Sequence, residues 1–301
     1  MVIRVSNCLS DQKLPDLEEV QNMSSHIFLI PFTKRHPPPM QVMVISLHTP
    51  TRLLATLQRL FPDATVSVQR GVDLRKVSVD HLHRAGLVSH GAVHALRHGR
   101  KWHHELSSRG AVGLAHANRL ALSDRTDLPL LLLEDDATIT DEGAFVRDVR
   151  ALLAHQDTFD MASLATHVQD SNETEPAHHL PEGWYHMRGM FHLTHAVMYT
   201  PHGRRVVGEF LRDHPLEMQI DSLYGSLAQQ GVLRVVVRHQ SDAHVVQSIH
   251  TSSIQEMFGK CLLCDLSPNS LGLPLMTTMC LVVLSLLVCG CTAHMVYLRR
   301  V

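Results

Sequence analysis

A run of apolar residues that ends in three acidic ones constrains the fold of this 301-residue chain more than any other feature. Residues 128–133 read LPLLLL, which predicts a fully buried strand, and Glu134, Asp135 and Asp136 follow at once. In an open α/β sheet, ligands bind beyond the carboxyl ends of the strands. The three carboxylates are therefore expected at a ligand-binding edge.

Adjacent carboxylates repel one another and raise each other's pKa unless a cation lies among them. Oxygen ligands alone suit a hard ion such as Mg²⁺ or Mn²⁺, which also binds a diphosphate. The alternative interpretation is a solvated acidic turn that precedes the helix predicted to begin near Asp141.

Strands and helices alternate along residues 41–260, which predicts an α/β class with a mainly parallel sheet flanked by helices. Predicted strands are 41–47, 65–69, 128–133, 196–199 and 233–237. Predicted helices are 51–61, 112–123, 141–155, 201–212 and 221–230. Three prolines at 37–39 favour an extended spacer, so residues 1–40 are predicted to be an N-terminal extension.

Composition excludes several classes of protein. Lys and Arg number 27 against 29 Asp and Glu, which argues against a nucleic-acid binder. A 45% apolar and 19% charged composition excludes a disordered chain. No cysteine occurs between Leu9 and Lys260, so no disulfide can stabilise a domain there.

The apolar run at residues 271–298 contains no Asp, Glu, Lys or Arg and is long enough to cross a bilayer as a helix. It predicts a single-pass membrane segment near the C-terminus. Arg299 and Arg300 favour a cytosolic C-terminus, whereas the absence of an N-terminal apolar signal favours a tail anchor with a cytosolic domain. The side of the membrane stays open.

Histidine is unusually frequent, with 24 copies. His90, His94 and His98 recur every four residues and could share one face of a helix; a polar face is favoured over a zinc site. His244 and His250 are alternative late ligands for a metal at the acidic cluster.

The order of several short motifs resembles glycosyltransferase family 25, the lipopolysaccharide-biosynthesis and procollagen galactosyltransferase-like group. The matching segments, spread over about residues 42–255, are VISL at 44–47 with Thr51-Arg52, RGVD at 70–73, GAVGLAH at 110–116, LEDD at 133–136, YTPHGR at 199–204, QID at 219–221 and QSI at 247–249. Ser46 stands where the family has Asn, and Ala115 where it has Ser.

The resemblance implies a GT-A-like, Rossmann-related fold that binds a nucleotide sugar, with a UDP-sugar expected. It implies that Glu134 and Asp136 hold Mn²⁺ or Mg²⁺, with Asp136 the more direct ligand. The resemblance also implies that six residues at or beside the matched positions bind the nucleotide-sugar donor. These are Ser46, His48, Arg52, Asp73, His116 and Asp135.

Inversion of the anomeric carbon, which the resemblance also implies, requires a general base on the acceptor hydroxyl. Asp221 is the candidate, with an N-cap of the following helix as its alternative role. The expected enzyme is a membrane-attached hexosyltransferase that moves galactose or glucose to a glycan or protein acceptor. The rival hypothesis is a catalytically inactive, histidine-rich membrane binding protein of the same fold.

Overall fold

The computed structural model describes residues 39–248, apart from 49, 103, 124–126 and 169–173. The predicted membrane segment at 271–298 and nearly all of the N-terminal extension lie outside these residues. No helix within the described ranges is long and apolar enough to span a bilayer.

The strands of the described residues are β1 (Gln41–Ser46), β2 (Thr65–Arg70), β3 (Leu130–Glu134), β4 (Ala137–Ile139), β5 (Met161–Val168), β6 (Thr174–Pro176), β7 (Trp184–Met187), β8 (Phe191–His192), β9 (Ala196–Tyr199), β10 (Val235–His239) and β11 (Val245–Gln247). The main sheet has the strand order β2-β1-β3-β9-β5-β10-β7-β6, and β8 pairs with β5. A separate pair is formed by β4 and β11.

Among the described residues, six of the nine strands of the main sheet run in one direction, as the sequence predicts for a mainly parallel sheet, but five of its eight pairings are antiparallel. β1 runs parallel to β2 and β3, and β5 runs parallel to β10. β9 lies between β3 and β5 and is antiparallel to both, so β3 and β5 point the same way. β7 pairs antiparallel with both β10 and β6, and β8 pairs antiparallel with β5.

Helices cover both faces of the sheet. They are α1 (Thr51–Leu60), α2 (Val79–Arg84), α3 (His90–His98), α4 (Arg109–Ser123), α5 (Glu142–Ala154), α6 (Pro201–Asp213) and α7 (Ile220–Gln229). Side chains of α2, α3, α4, α6 and α7 form one apolar cluster with the sheet, while α1 and α5 contribute to the cluster on the other face.

The leucine run at residues 130–133 is a central strand buried on both faces. Leu130 and Leu132 belong to the cluster with α4, and Leu131 and Leu133 belong to the cluster with α5. All four side chains are 4% exposed or less. This two-sided burial explains why the strand reads as continuous leucine rather than as an alternating pattern.

Candidate functional site

Three neighbouring strands deliver the predicted residues to one edge of the sheet. β1 ends at Ser46, β3 ends at Glu134, and Asp73 follows the end of β2. Because these strands are parallel, their carboxyl ends coincide. Ser46, Asp73, Glu134, Asp135 and Asp136 together line a cleft of about 560 Å³, part of it open to solvent.

Ser46 connects the end of β1 to the acidic cluster. Its Oγ donates a hydrogen bond to Oδ2 of Asp135 and accepts one from the backbone N–H of His48 at 3.0 Å. The backbone N–H of Asp135 donates to the carbonyl of Ile45 at 3.1 Å. The Asp135 carboxylate is therefore positioned by β1 as well as by its own strand.

Glu134 is the most strongly perturbed acid of the cleft. Burial, together with the negative charges of Asp136, Asp221 and Asp135, raises its pKa to about 8. Thr194 opposes this shift, because its Oγ1 donates to Oε1 of Glu134 at 3.3 Å. Without a cation, Glu134 is therefore largely protonated at neutral pH.

Residues at the end of β11 hold Asp136 in place. Nε2 of Gln247 donates to Oδ2 of Asp136 at 2.8 Å, and the N–H of Ser248 donates to the carbonyl of Asp136 at 2.8 Å. Burial raises the pKa of Asp136. Its second oxygen, Oδ1, is buried and has no hydrogen-bond partner among the described residues.

Asp221 lies in the first turn of α7, near Glu134. Gln219 is the N-cap residue, so the alternative role of Asp221 as the helix cap is wrong. The Asp221 carboxylate accepts the N–H of Ser222 at 2.7 Å, and its Oδ2 is 3.4 Å from Nδ1 of His192. Its charge raises the pKa of Glu134, which brings the candidate base into the electrostatic environment of the acidic cluster.

Two buried tyrosines, one on β9 and one on α7, contact each other. The hydroxyls of Tyr199 and Tyr224 are 2.7 Å apart. Burial raises the pKa of both, and the negative charge of Glu134 raises them further. These phenols stay neutral, and their pairing supports the position of α7 against β9.

The other predicted donor-site residues occupy different places. Arg52 and Asp135 line an adjoining groove of about 1000 Å³. Asp73 lines the main cleft, and the hydrogen bonds of Arg75 to its carboxylate hold the pKa of Asp73 well below its usual range. His48 contacts the site through its backbone N–H, which donates a hydrogen bond to Oγ of Ser46.

His116 is not brought to this cleft. It lines a separate small cavity with Arg119 and Leu216, whereas Leu114 and Ala117 of the same helix line the main cleft. The 3.6-residue helical period places His116 on a different face of α4 from these two. Burial lowers its pKa.

A divalent cation suits part of this site. The cluster offers carboxylate oxygens, and the unpartnered Oδ1 of Asp136 is a ready ligand. Within the described ranges, however, no group of three or more His, Cys, Asp or Glu side chains is arranged to hold a metal ion. His244 is 3.9 Å from Asp148, and His250 lies outside the described residues.

Sequence reasoning missed His192, Thr194 and His195. His195 is 1% exposed, and its backbone carbonyl accepts the N–H of Glu134 at 2.9 Å. Gln247 belongs to the QSI motif, and in the structure its side-chain amide donates to the Asp136 carboxylate. These residues lie far from the acidic cluster in sequence, so no local pattern identifies them.

No known family model matches the chain, and no curated protein matches it. Among solved structures, a UDP-glucose pyrophosphorylase complexed with UDP-glucose is 14% identical, with 66% of this chain and 90% of that one covered at a TM-score of 0.39. A mannose-1-phosphate geranyltransferase from Thermus thermophilus is 14% identical, covering 67% and 74% at a TM-score of 0.32. A 4-diphosphocytidyl-2C-methyl-D-erythritolsynthase from Anaerococcus prevotii is 10% identical, covering 72% and 94% at a TM-score of 0.36.

Proposed function

We propose that this chain is a metal-dependent, inverting glycosyltransferase that moves a hexose from a nucleotide sugar, a UDP-sugar, to a glycan or protein acceptor. The observation that supports this most directly is the carboxylate cluster at the carboxyl edge of three parallel strands. Within it, one buried oxygen of Asp136 has no partner among the described residues.

Asp136 and Glu134 would hold Mn²⁺ or Mg²⁺. When bound, such an ion neutralises charge that develops on a diphosphate leaving group. Binding would also favour the ionised form of Glu134, whose pKa burial and neighbouring acids raise to about 8. Gln247 keeps Oδ2 of Asp136 occupied and leaves Oδ1 as the oxygen available to a cation.

Asp221 would accept the proton of the acceptor hydroxyl. Its carboxylate is 17% exposed, so it remains accessible, and the Ser222 N–H holds one of its oxygens. The negative charges of Asp136 and Asp221 both raise the pKa of Glu134, so Glu134 interacts with the metal-binding side of the cleft and with the candidate base. The donor phosphates and the acceptor hydroxyl would therefore meet near Glu134.

The alternative function, an inactive histidine-rich binding protein, is favoured by one observation. Among the described residues, no three His, Cys, Asp or Glu side chains are arranged to hold a metal ion, so they do not by themselves supply the full ligand set that metal-dependent transfer would use. The two functions differ in whether sugar is transferred after the nucleotide binds.

The test measures thermal stabilisation and sugar transfer with UDP- and GDP-sugars, with and without Mn²⁺. Asp136→Asn should abolish the Mn²⁺-dependent rise in melting temperature that UDP produces, because it removes the anionic ligand. Asp63→Asn changes an exposed acid elsewhere and should behave as the parent. Equal stabilisation of Asp136→Asn and parent would exclude the metal role, and binding without transfer would support the inactive alternative.

A further inference from the structure

The unusual histidine content leaves a pair of imidazoles that the proposed reaction does not use. His94 and His98 lie four positions apart on α3, so they share one face of the helix. Both are exposed, and their ring centroids are 4.7 Å apart. In the described part of the chain, neither ring forms a hydrogen bond to another residue.

We propose that His94 and His98 together bind a borderline divalent transition cation of the Zn²⁺, Ni²⁺ or Cu²⁺ class. Neutral imidazole nitrogen is a preferred ligand for these ions. A tetrahedral ion with metal–nitrogen distances of about 2.0–2.1 Å holds two coordinated rings with their centroids about 5 Å apart. The observed separation of the two rings therefore matches the bite of a two-histidine site.

The helix that carries the pair is well defined at both ends. The Oγ of Ser89 accepts the N–H of Ala92 at 3.2 Å as the N-cap, and Gly99 ends the helix with a φ of 88°. Ala92, Val93 and Ala95 bury the opposite face of α3 in the core. The two imidazoles are thus presented to solvent from a fixed backbone.

One nearby positive charge is offset. Arg97, which lies between the two histidines in sequence, forms an ion pair with Asp80. Arg100 and Lys101 follow the pair, so binding relies on the imidazole nitrogens and not on local negative charge. Water would complete the coordination, since the pair supplies two ligands. The site is therefore an open, exchangeable one and differs from the oxygen-lined cleft in the class of metal that it selects.

The chain contains its own optical reporter for this site. It has two tryptophans: Trp102, which is 60% exposed and follows His98 by four residues, and Trp184, which is 2% exposed. Cu²⁺ quenches nearby indole fluorescence. A titration of the full chain with Cu²⁺, in excess Mg²⁺ so that oxygen sites are filled, should show saturable quenching that Trp102→Phe removes.

His94→Gln and His98→Gln should each weaken Cu²⁺ binding at least tenfold, because each removes one of two ligands. His81→Gln, at an exposed histidine of α2, is the matched control and should leave the affinity unchanged. Circular dichroism of each variant checks that the fold is retained. Unchanged affinity in His94→Gln and His98→Gln, or an equal loss in His81→Gln, would overturn the proposal.

A second histidine pair gives the experiment a further discriminating outcome. The rings of His179 and His186 are 5.1 Å apart, and His186 lies on β7 with Trp184. If these residues bound the copper instead, quenching would survive Trp102→Phe and be lost in His186→Gln. That result would also overturn the assignment to His94 and His98.

Discussion

The acids of the cleft are chemically distinct because each has different neighbours. The Asp135 carboxylate accepts a hydrogen bond from the hydroxyl of Ser46. Asp136 accepts one from the side-chain amide of Gln247, and Glu134 accepts one from the hydroxyl of Thr194. The raised pKa of Glu134 reflects burial first and neighbouring carboxylates second. Strongly perturbed carboxylates such as Glu134 are common in catalytic sites.

Asp221→Asn provides the residue-scale test of the chemistry. We expect sugar transfer to fall by about 10²–10⁴-fold, the usual contribution of a general base. The amide oxygen of Asn can still accept the N–H of Ser222, so the fold should be retained. UDP affinity should stay near that of the parent. Transfer rate, UDP affinity and melting temperature are the measurements.

Normal transfer by Asp221→Asn would remove this residue from the mechanism. A lower melting temperature with normal transfer in Asp221→Ala would indicate a purely structural role in the first turn of α7. Exposed Asp242→Asn is the control for a general loss of negative charge.

Asp160 tests how a buried acid contributes to stability as pH changes. Its side chain is 3% exposed and accepts hydrogen bonds from the backbone N–H and the Nη2 of Arg234, both at 2.8 Å. Burial alone would raise the pKa of Asp160, but the bonds and charge of Arg234 outweigh it and lower the pKa. A lowered folded-state pKa stabilises the protein above the unfolded-state pKa of about 4, and this stabilisation is lost as pH falls through the folded-state value.

Asp160→Asn should therefore lower the free energy of unfolding by about 1–3 kcal/mol at pH 7, with a smaller difference below about pH 4. Denaturant unfolding at several pH values measures this. Asp157→Asn is the control, because its side chain is exposed and only its carbonyl accepts from Arg234. A pH-independent difference between Asp160→Asn and parent would show that the ion pair is not the cause.

At the scale of elements, the close approach of α4 to the loop after β2 determines one wall of the cleft. A Cβ added to Gly113 would lie 2.1 Å from the carbonyl oxygen of Val72, and Asp73 follows Val72 directly. Gly113→Ala must therefore displace the helix or the loop. We expect it to lower the free energy of unfolding by about 1–3 kcal/mol and to weaken UDP binding.

Gly91→Ala is the matched control for this substitution. The nearest atom to its added Cβ is the Oγ of Ser89 at 3.8 Å, which is an ordinary contact. Alanine favours the helical backbone over glycine, so Gly91→Ala should raise the free energy of unfolding by up to about 1 kcal/mol. If Gly113→Ala behaved in the same way in chemical denaturation, the tight packing of α4 would be contradicted.

Elements with a strong local pattern were predictable, and those without one were not. β3, β9 and α6 have continuous apolar or amphipathic sequences with clear ends, and the structure confirms them. β5 was missed because small and polar residues, including Ser163 and Thr166, occupy fully buried positions. The backbone of β5 pairs with β9 on one side and β10 on the other. Sequence periodicity does not reveal such pairings.

For the whole molecule, parallel topology explains which part of the site was predictable. Ser46, Asp73 and the acidic cluster follow successive strands, and parallel strands bring their carboxyl ends together. The contact of Gln247 with Asp136 joins residues 111 positions apart through the pairing of β4 with β11. Such long-range contacts depend on the complete topology, so motif order alone could not assign them.

Membrane attachment is the prediction that concerns the whole chain. Residues 271–298 lack Asp, Glu, Lys and Arg over a length sufficient for a bilayer-spanning helix, so we expect the full chain to resist extraction by alkaline carbonate. Truncation after Lys260 retains every described residue and should give protein that alkaline carbonate extracts, with the UDP affinity of the parent. A full-length variant with two of the leucines in this run changed to lysine should lose membrane retention without losing UDP binding, because each charge opposes insertion. Release of the unmodified full chain by carbonate would show instead that this run does not anchor the protein.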